Sequence, residues 1–218
     1  MLRKLLAEAI GTSFLLIGVV GSGIMAETLS PDNIGVALLA NAIATGCILY
    51  VIITIFGPVS GAHFNPAVTF TFWLKTEITT RAAIAYVAVQ ILAAILGVWL
   101  AHAMFEQDIV QVSHKIRSGP SQWLSEGIAT FGLVLLILGG LKHAPERIPT
   151  LVAAYITGAY WFTSSTSFAN PAVTIARSLT DTFAGIQAAN MPLFIVMQLI
   201  GAGAALLLAR LVFSATRD

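Results

Sequence analysis

A five-residue sequence, Asn-Pro-Ala-Val-Thr, occurs twice in this chain, at residues 65–69 and 170–174. Asparagine is a strong helix N-cap, and proline suits the first helical position because its missing N–H would be unpaired there anyway. Each copy therefore predicts the start of a helix whose N-terminus carries about half a positive charge. The amides of Asn65 and Asn170 can also donate to a solute oxygen. The expected chemistry is recognition of a neutral solute and rejection of cations.

A segment rich in Gly, Pro, Ser and Thr precedes each copy, at 57–66 and 163–171. Glycine and proline break helices, yet apolar sequence resumes directly after each segment. Irregular backbone at membrane depth is tolerated only where it is buried in protein or lines a wet cavity. We expect carbonyl groups before each asparagine to line a pathway, and the ring of His63 has a second interpretation as a pH-dependent gate. The carbonyl candidates are Ala62, His63, Phe64, Thr166, Ser167 and Phe168.

The composition places these motifs in a membrane. Hydrophobic residues make up 57% of the 218 positions and charged residues only 10%, against about 25% charged in an ordinary soluble domain. This argues against a soluble enzyme or a nucleic-acid-binding protein. The net charge of +1 gives no attraction to polyanions, and the single cysteine, Cys47, excludes an internal disulfide and a cysteine-cluster metal site. We expect a polytopic protein surrounded by lipid, with no metal, cofactor or nucleic-acid partner.

Charged residues divide the chain into uncharged runs that predict six transmembrane helices of about 20 residues each. The runs are 9–26, 33–74, 82–105, 127–141, 148–176 and 182–209. The first lacks a cleavage site followed by polar sequence, so we expect a helix rather than a signal peptide. The run 33–74 is too long for one helix, and 148–176 is interrupted in the same way. Each predicts a span, a re-entrant loop and a half-helix, at 65–75 and 170–180.

Positive charges predict the orientation, because cytoplasmic loops carry an excess of Lys and Arg. With six spans and the N-terminus inside, the outer side carries only Lys115, Arg117 and Arg177. The cytoplasmic side carries Arg3, Lys4, Lys75, Arg81, Lys142, Arg147, Arg210 and Arg217. Both termini are therefore expected in the cytoplasm.

The two halves correspond beyond the repeated motif. The matching pairs are Glu8 with Glu126 and Gln90 with Gln198. Three spans per half is an odd number, so the second half enters the membrane from the opposite side. That arrangement is an inverted repeat with a central site near the midplane. We expect residues 1–110 to form the first repeat and residues 111–218 the second.

The intramembrane glutamates have two interpretations. Buried carboxylates mark functional sites, so Glu8 and Glu126 could couple ions to solute in a secondary active transporter. Alternatively, each accepts hydrogen bonds from the backbone of a re-entrant loop, with Gln90 and Gln198 bracing the same loops. Their symmetric placement favours the structural role. A passive channel is the leading function, and the coupled transporter is the alternative.

The paired Asn-Pro-Ala motifs, the Ser-Gly-x-His-Phe sequence at 60–64 and the two glutamates resemble the aquaporin and aquaglyceroporin (major intrinsic protein) family. The resemblance covers essentially the whole chain. It implies an all-α membrane protein, an aquaporin-like right-handed bundle of six transmembrane helices and two re-entrant half-helices. It also implies a homotetramer in the plasma membrane and no enzymatic activity. The pore motif residues are then Asn65, Pro66, Ala67, Asn170, Pro171 and Ala172.

The resemblance also locates an outer filter, where this chain departs from the family. Family members usually carry arginine directly after the second Asn-Pro-Ala, and this chain has Val173. Counting back as in the family gives Thr45, Gly158 and Ser167 as the other positions. A ring without an aromatic residue or fixed charge implies a wide aperture. It resembles a bacterial subgroup linked to arsenic resistance, so the expected solutes are polyols such as glycerol, metalloid acids such as arsenous acid, and water.

Arg177 lies one helical turn beyond Val173 on the same face of the half-helix. One interpretation is that it lines the outer vestibule and restores part of the missing positive field. The other is a packing role or a salt bridge with Asp181, four residues further on. The sequence leaves both open.

Overall fold

A computed structural model describes residues 1–213, and all regular secondary structure in that range is helical. The α-helices of the described range are α1 Leu2–Leu29, α2 Ile34–Ser60, α3 Pro66–Leu74, α4 Thr80–Met104, α5 Pro120–His143, α6 Ile148–Phe162, α7 Pro171–Arg177 and α8 Met191–Val212. Short 3₁₀ turns precede α6 and α8. Arg217 and the end of the second expected repeat lie outside the described residues. The all-α prediction is confirmed.

Five helices of the described range, α1, α2, α4, α5 and α8, are long and apolar enough to cross a membrane. Large apolar side chains cover their outer faces, as at Leu92 and Leu207, which are 68% and 64% exposed. In water such a surface would be unfavourable, whereas lipid tails accept it. The helical surface is therefore that of a multi-pass membrane protein.

The fifth predicted span is shorter than expected. α6 has 15 residues, or about 22 Å at 1.5 Å per residue, against about 30 Å for the hydrocarbon core. Its start is set by Pro149 in the first helical turn, where proline cannot continue a helix backward. It ends at Phe162, because the next residue, Thr163, is extended. The six predicted spans are five long helices and this short one.

The first breaker-rich segment contains more helix than the sequence predicted, and the second half-helix is shorter than predicted. α2 continues through Gly57 and Pro58 and ends only at Ser60, because proline removes a single hydrogen bond that the last turn of a membrane helix tolerates. α7 ends at Arg177 rather than at residue 180. The carbonyl of Arg177 accepts instead from the N–H of Ile186, on the segment that connects α7 to α8.

The helices pack as two related sets. α1 lies against α2 and α4, α5 lies against α6 and α8, and α2 joins the halves through α6. The half-helices α3 and α7 touch each other, and each contacts both α4 and α8. The long helices approach closely at glycine: a Cβ on Gly97 would lie 2.5 Å from the carbonyl of Ser13, and one on Gly201 would lie 2.2 Å from that of Gly127. This packing holds both half-helices at the centre of the bundle.

Candidate functional site

The two repeated motifs start half-helices whose N-termini are bonded to each other's loops. The Oδ1 atoms of Asn65 and Asn170 cap their own helices, accepting from the N–H two residues later at 2.8 and 3.0 Å. Asn65 Nδ2 donates to the carbonyl of Ala169 at 2.7 Å, and Asn170 Nδ2 donates to that of Phe64 at 2.8 Å. An amide nitrogen carries two hydrogens, so each asparagine keeps one donor for a solute.

The loops before the asparagines share a strained backbone at equivalent positions. Ala62 and Phe64 have φ of 48° and 49°, and Ser167 and Ala169, each 105 residues later, have φ of 50° and 47°. A non-glycine residue in this left-handed region costs about 1 kcal/mol or more. Strain of this kind persists only where the surroundings hold the backbone in place. The two loops therefore need a strong structural support.

Glu8 supplies that support in the first half. Its Oε1 accepts from the backbone N–H of His63 at 3.0 Å, and its Oε2 accepts from that of Phe64 at 2.7 Å. Gln90 Nε2 donates to Oε2 at 2.8 Å, and Ser60 Oγ donates to Oε1 at 2.7 Å. The carboxylate is fully buried, and four donors compensate the cost of removing it from water.

Glu126 does the same in the second half. Its two oxygens accept from the N–H groups of Phe168 and Ala169, both at 2.9 Å. Gln198 Nε2 donates to it at 2.6 Å and to Thr174 Oγ1 at 2.9 Å. Each glutamate thus grips the two residues before its half's asparagine. The geometry is that of a brace for the loop.

A cavity of about 200 Å³ runs past both asparagines. Its remaining wall is largely apolar, with Leu15, Val19, Leu49, Ile53 and Leu133 among the contributors. No carboxylate lines it in the described residues. The predicted site residues that line it are Thr45, Ala62, His63, Phe64, Asn65, Ser167, Phe168, Asn170, Val173 and Arg177. The arrangement is a narrow amphipathic passage with polar groups concentrated at the loops.

The other motif residues lie behind this lining. Pro66, Ala67, Pro171 and Ala172 are buried in the first turns of the half-helices. Thr166, predicted to present a carbonyl, is half-buried and does not line the cavity. Ser167 and Phe168, the next two residues of this loop, line the cavity. The backbone of the loop is left-handed at Thr166, Ser167 and Ala169.

The position predicted for α6 in the outer filter requires a correction. Gly158 is exposed on the opposite face of the helix and does not line the cavity. The residues of α6 that do so follow a four-residue spacing: Ile148, Val152, Ile156 and Tyr160. At 100° per residue, Gly158 lies about 200° from both Ile156 and Tyr160. The prediction of Gly158 counted a fixed number of residues back from Asn170 and ignored which face of α6 points into the bundle. The four-residue spacing of apolar residues in α6 could have indicated that face.

Tyr160 therefore places an aromatic ring in the cavity wall beside Thr45, where the predicted filter had none. Its hydroxyl lies 3.1 Å from that of Thr45, and both side chains are buried. At the other end of the cavity, the ring of His63 stacks on Phe72 with centroids 4.8 Å apart and bonds Thr69. Gating by His63 stays a prediction.

Arg177 lines the cavity while being almost completely buried. Its guanidinium carbon lies 3.4 Å from the centroid of the Phe168 ring, and its Nε donates to the carbonyl of Ala184. Asp181, the alternative partner, instead accepts from the N–H of His114 at 2.8 Å. A second guanidinium, that of Arg117, lies 5.3 Å from the same ring. Arg117 lies on the segment between α4 and α5, and its burial lowers the pKa of its guanidinium.

Comparison with known proteins agrees with this geometry. A family model described as major intrinsic protein matches residues 1–163. The chain belongs to the major intrinsic protein family. It is 55% identical over 208 residues to a protein named aquaglyceroporin AqpS from Rhizobium meliloti (strain 1021), covering 95% of this chain and 89% of that one. It is also 31% identical to aquaporin AqpM from Methanothermobacter marburgensis, with coverage of 92% and 93%.

A solved structure shows the same fold. The X-ray structure of the aquaglyceroporin from Plasmodium falciparum superposes with a TM-score of 0.77 and covers 97% of this chain and 96% of its own, at 19% identity. The predicted aquaporin-like fold is confirmed. This is a family of membrane channels rather than of enzymes, and the chain is a passive membrane channel. The family match, the cited relatives and the braced glutamates give no support to the coupled transporter.

Proposed function

We propose that this channel conducts glycerol-like polyols, undissociated metalloid acids such as arsenous acid, and water. The observation that carries the proposal is the composition of the cavity wall. Two half-helix N-termini and two asparagine amides supply polar groups, and the rest of the wall is largely apolar. No carboxylate is among the described lining residues. The polar groups replace the hydrogen bonds that the solute's hydroxyls make with water, and the apolar part of the wall contacts its C–H groups.

Exclusion of ions follows from the same elements. Each half-helix presents about half a positive charge near the middle of the pathway, and no carboxylate among the described lining residues offsets it. A cation would lose hydration without gaining a negative partner. A neutral hydroxyl meets both donors and acceptors. The name of the Rhizobium meliloti relative, aquaglyceroporin, supports the polyol assignment.

The metalloid acids rest on Val173 and on the resemblance to the arsenic-linked subgroup. Valine directly after the second Asn-Pro-Ala carries no charge and no donor and is smaller than the arginine usual at that position, which supports passage of a solute larger than water. The residues proposed to contact solute are Thr45, Ser167, Val173, Asn65 and Asn170, with Arg177 at the outer vestibule. The remaining motif residues and the glutamates shape the loops.

We extend the proposal to assembly and topology. It comprises a homotetramer in the plasma membrane with both termini in the cytoplasm, two repeats at 1–110 and 111–218, and no catalytic activity. The distribution of Lys and Arg supports this topology. Fluorescent-protein and alkaline-phosphatase fusions at the C-terminus test it, since only a cytoplasmic terminus gives fluorescence without phosphatase activity. Native mass spectrometry of the purified channel tests the tetramer.

Flux measurements on reconstituted protein test the function. Purified channel in liposomes is mixed rapidly with glycerol, arsenous acid or an impermeant osmolyte, and vesicle volume is followed by light scattering. We expect faster glycerol and arsenous acid entry than in empty liposomes, with rates unchanged by an imposed proton or sodium gradient. Acceleration by either gradient would establish the coupled transporter instead. Rates equal to those of empty liposomes would refute the proposed solutes.

A further inference from the structure

The two loops that lead into the asparagines differ in length. The first loop, residues 61–65, has five residues, because α2 continues to Ser60 and α3 begins at Pro66. The second loop, residues 163–170, has eight residues, because α6 already ends at Phe162. Irregular backbone lacks the repeated hydrogen bonds with which a helix resists local opening. The second loop therefore depends more than the first on the side chains that hold it.

Ser60, the last residue of α2, completes the brace of the first loop. Its Oγ donates to Glu8 Oε1 at 2.7 Å and accepts from the N–H of Ala62 at 3.0 Å. Ser165, 105 residues later, is fully buried and accepts from the N–H of Ser167 at 3.2 Å. Within residues 1–213 it makes no hydrogen bond to the glutamate of its own half. The reason is that α2 carries Ser60 to its glutamate, whereas α6 ends before it reaches Ser165.

A tyrosine hydroxyl that anchors the first loop has no counterpart in the second half. Tyr86, on α4, donates to the carbonyl of Ser60 at 2.9 Å. Counting 108 residues on, the offset that relates Gln90 to Gln198, gives Phe194 on α8. Phe194 is fully buried but has no hydroxyl. The second loop therefore lacks the bond that ties the first loop to its neighbouring helix.

The second loop also carries more backbone strain. Gly61 occupies a left-handed position with φ of 89°, whereas Thr166, 105 residues later, has φ of 64°. Glycine adopts this region freely, and a β-branched residue does so only at an energetic cost. Opening of the second loop therefore relieves strain at Thr166, and opening of the first loop relieves none at Gly61.

The brace of the second loop is less complete as well. Glu126 Oε1 accepts from the N–H of Phe168 alone, whereas Glu8 Oε1 accepts from two donors. Gln198 bonds Glu126 and Thr174 through Nε2, but its Oε1 is buried without a hydrogen-bond partner in the described chain. A buried acceptor of this kind gains a hydrogen bond when water reaches it. Opening of the second brace thus loses fewer bonds and gains one.

The other contacts of the second loop do not hold the N–H groups that the glutamate grips. The N–H and Oγ of Ser164 bond Ser125 Oγ at 3.1 and 2.9 Å, at an exposed position near the start of the loop. The ring of Phe168 lies against the guanidinium of Arg177. The ring of His63, at the equivalent position of the first loop, is stacked as well. These contacts leave the difference between the braces in place.

We propose that the second loop is the compliant wall of the passage, and that solutes wider than water pass by displacing it while the first loop stays in place. Both loops line the same cavity, the first through His63 and the second through Ser167 and Phe168. Displacement of one loop therefore widens the passage without breaking both braces. The inference rests on the proposed channel function and deepens it, because it assigns passage of the larger solutes to one element.

Hydrogen exchange of the channel in lipid nanodiscs, resolved to single residues, measures how readily each loop opens. Exchange through local opening reports the population of the open form. Relative to intrinsic rates, we expect the N–H groups of Phe168 and Ala169 to exchange about tenfold faster than those of His63 and Phe64, because their brace has fewer bonds. Equal or slower exchange at Phe168 and Ala169 overturns the proposal.

Ser60→Ala and Ser165→Ala form a matched pair. Each removes a buried hydroxyl and the acceptor of one loop N–H, but only Ser60→Ala also removes a bond to a glutamate. We expect Ser60→Ala to speed exchange in the first loop about tenfold, because bonds to charged groups are strong. Ser165→Ala should speed exchange in the second loop less than about threefold. Equal acceleration by both variants contradicts the difference between the braces.

Phe194→Tyr supplies the second half with the hydroxyl that Tyr86 provides in the first. We expect slower exchange at Phe168 and Ala169 and a glycerol-to-water permeability ratio lowered about threefold in liposomes, because one added hydrogen bond stiffens the loop. Phe14→Tyr is the control, since Phe14 is 49% exposed on α1 and does not line the cavity. Slower exchange with the wild-type ratio overturns the role of the loop in solute passage.

Should Phe194→Tyr not fold, Ser60→Ala decides that role. It loosens the first loop, which lines the same cavity, so the glycerol-to-water ratio should rise about twofold, and an unchanged ratio overturns the proposal. If the wild type conducts no faster than empty liposomes, the proposed function fails, and passage along the second loop fails with it. A channel that conducts glycerol but shows equal exchange in both loops refutes the compliant wall alone.

Discussion

Asn65 donates a hydrogen bond of 2.7 Å to the carbonyl oxygen of Ala169, which lies in the opposite half of the chain. The reciprocal bond, from Asn170 to Phe64, measures 2.8 Å. These two bonds tie the start of each half-helix to the loop that leads into the other. They fix both N-termini at one depth and leave one amide hydrogen of each asparagine for solute.

Asn65→Asp separates this cross-link from helix capping. Aspartate caps a helix as well as asparagine does, but it has no N–H for the carbonyl of Ala169. We expect a loss of about 1–3 kcal/mol in stability and slower glycerol flux. Asn33→Asp is the control, because Asn33 caps α2 through Oδ1 at an exposed position. Thermal unfolding in detergent measures the difference, and equal midpoints for the two variants would contradict the cross-link.

Val173→Arg tests the outer passage. An arginine there adds volume and donors beside Ser167, so we expect glycerol and arsenous acid flux to fall more than water flux. Val110→Arg is the control, since Val110 is 72% exposed on the segment between α4 and α5. Stopped-flow light scattering gives the ratio of the rates. A ratio equal to that of the wild type would place Val173 outside the solute path.

Glu8→Gln and Glu126→Gln test the braces. Each substitution replaces a charged acceptor by a neutral amide and turns an N–H group toward existing donors. We expect a loss of about 2–4 kcal/mol in stability, because charge-assisted bonds contribute about 1.5–3 kcal/mol each. Glu146→Gln, at an exposed position, should cost almost nothing. Unfolding midpoints report the effect. If the wild type showed proton-driven solute flux and a glutamine variant lost that flux at unchanged stability, ion coupling would be favoured.

Gly201→Ala tests the close contact of α8 with α5. The added Cβ would lie 2.2 Å from the carbonyl of Gly127, so the helices must separate, at a cost of about 1–3 kcal/mol. Gly203→Ala is the internal control, because nothing lies within 4 Å of its Cβ position and alanine is the better helix former by about 1 kcal/mol. We expect opposite shifts in the unfolding midpoint. Equal destabilisation by both would show that the contact does not limit packing.

The sequence alone determined the features that neighbouring residues specify. Apolar runs defined the membrane helices, Asn-Pro pairs defined the half-helix starts, and the spacing of 105 residues defined the equivalent loop positions. The same register relates the left-handed residues Phe64 and Ala169. Helix capping, chain breaking and hydropathy act within a few residues, so they can be recognised along the chain without knowledge of its packing.

Tertiary structure decided which side chains line the cavity around Thr45 and Arg177. The rotation of α6 turns Tyr160 inward and Gly158 outward, and that rotation depends on packing against α2 and α5. The position of Arg177 depends on Phe168 and on the segment at 183–185, which the fold brings back to α7. The four-residue apolar spacing of α6 indicates which face is buried, but only the packing shows that this face lines the cavity. The return of the segment at 183–185 to α7 is set by contacts between distant parts of the chain, and no local pattern encodes it.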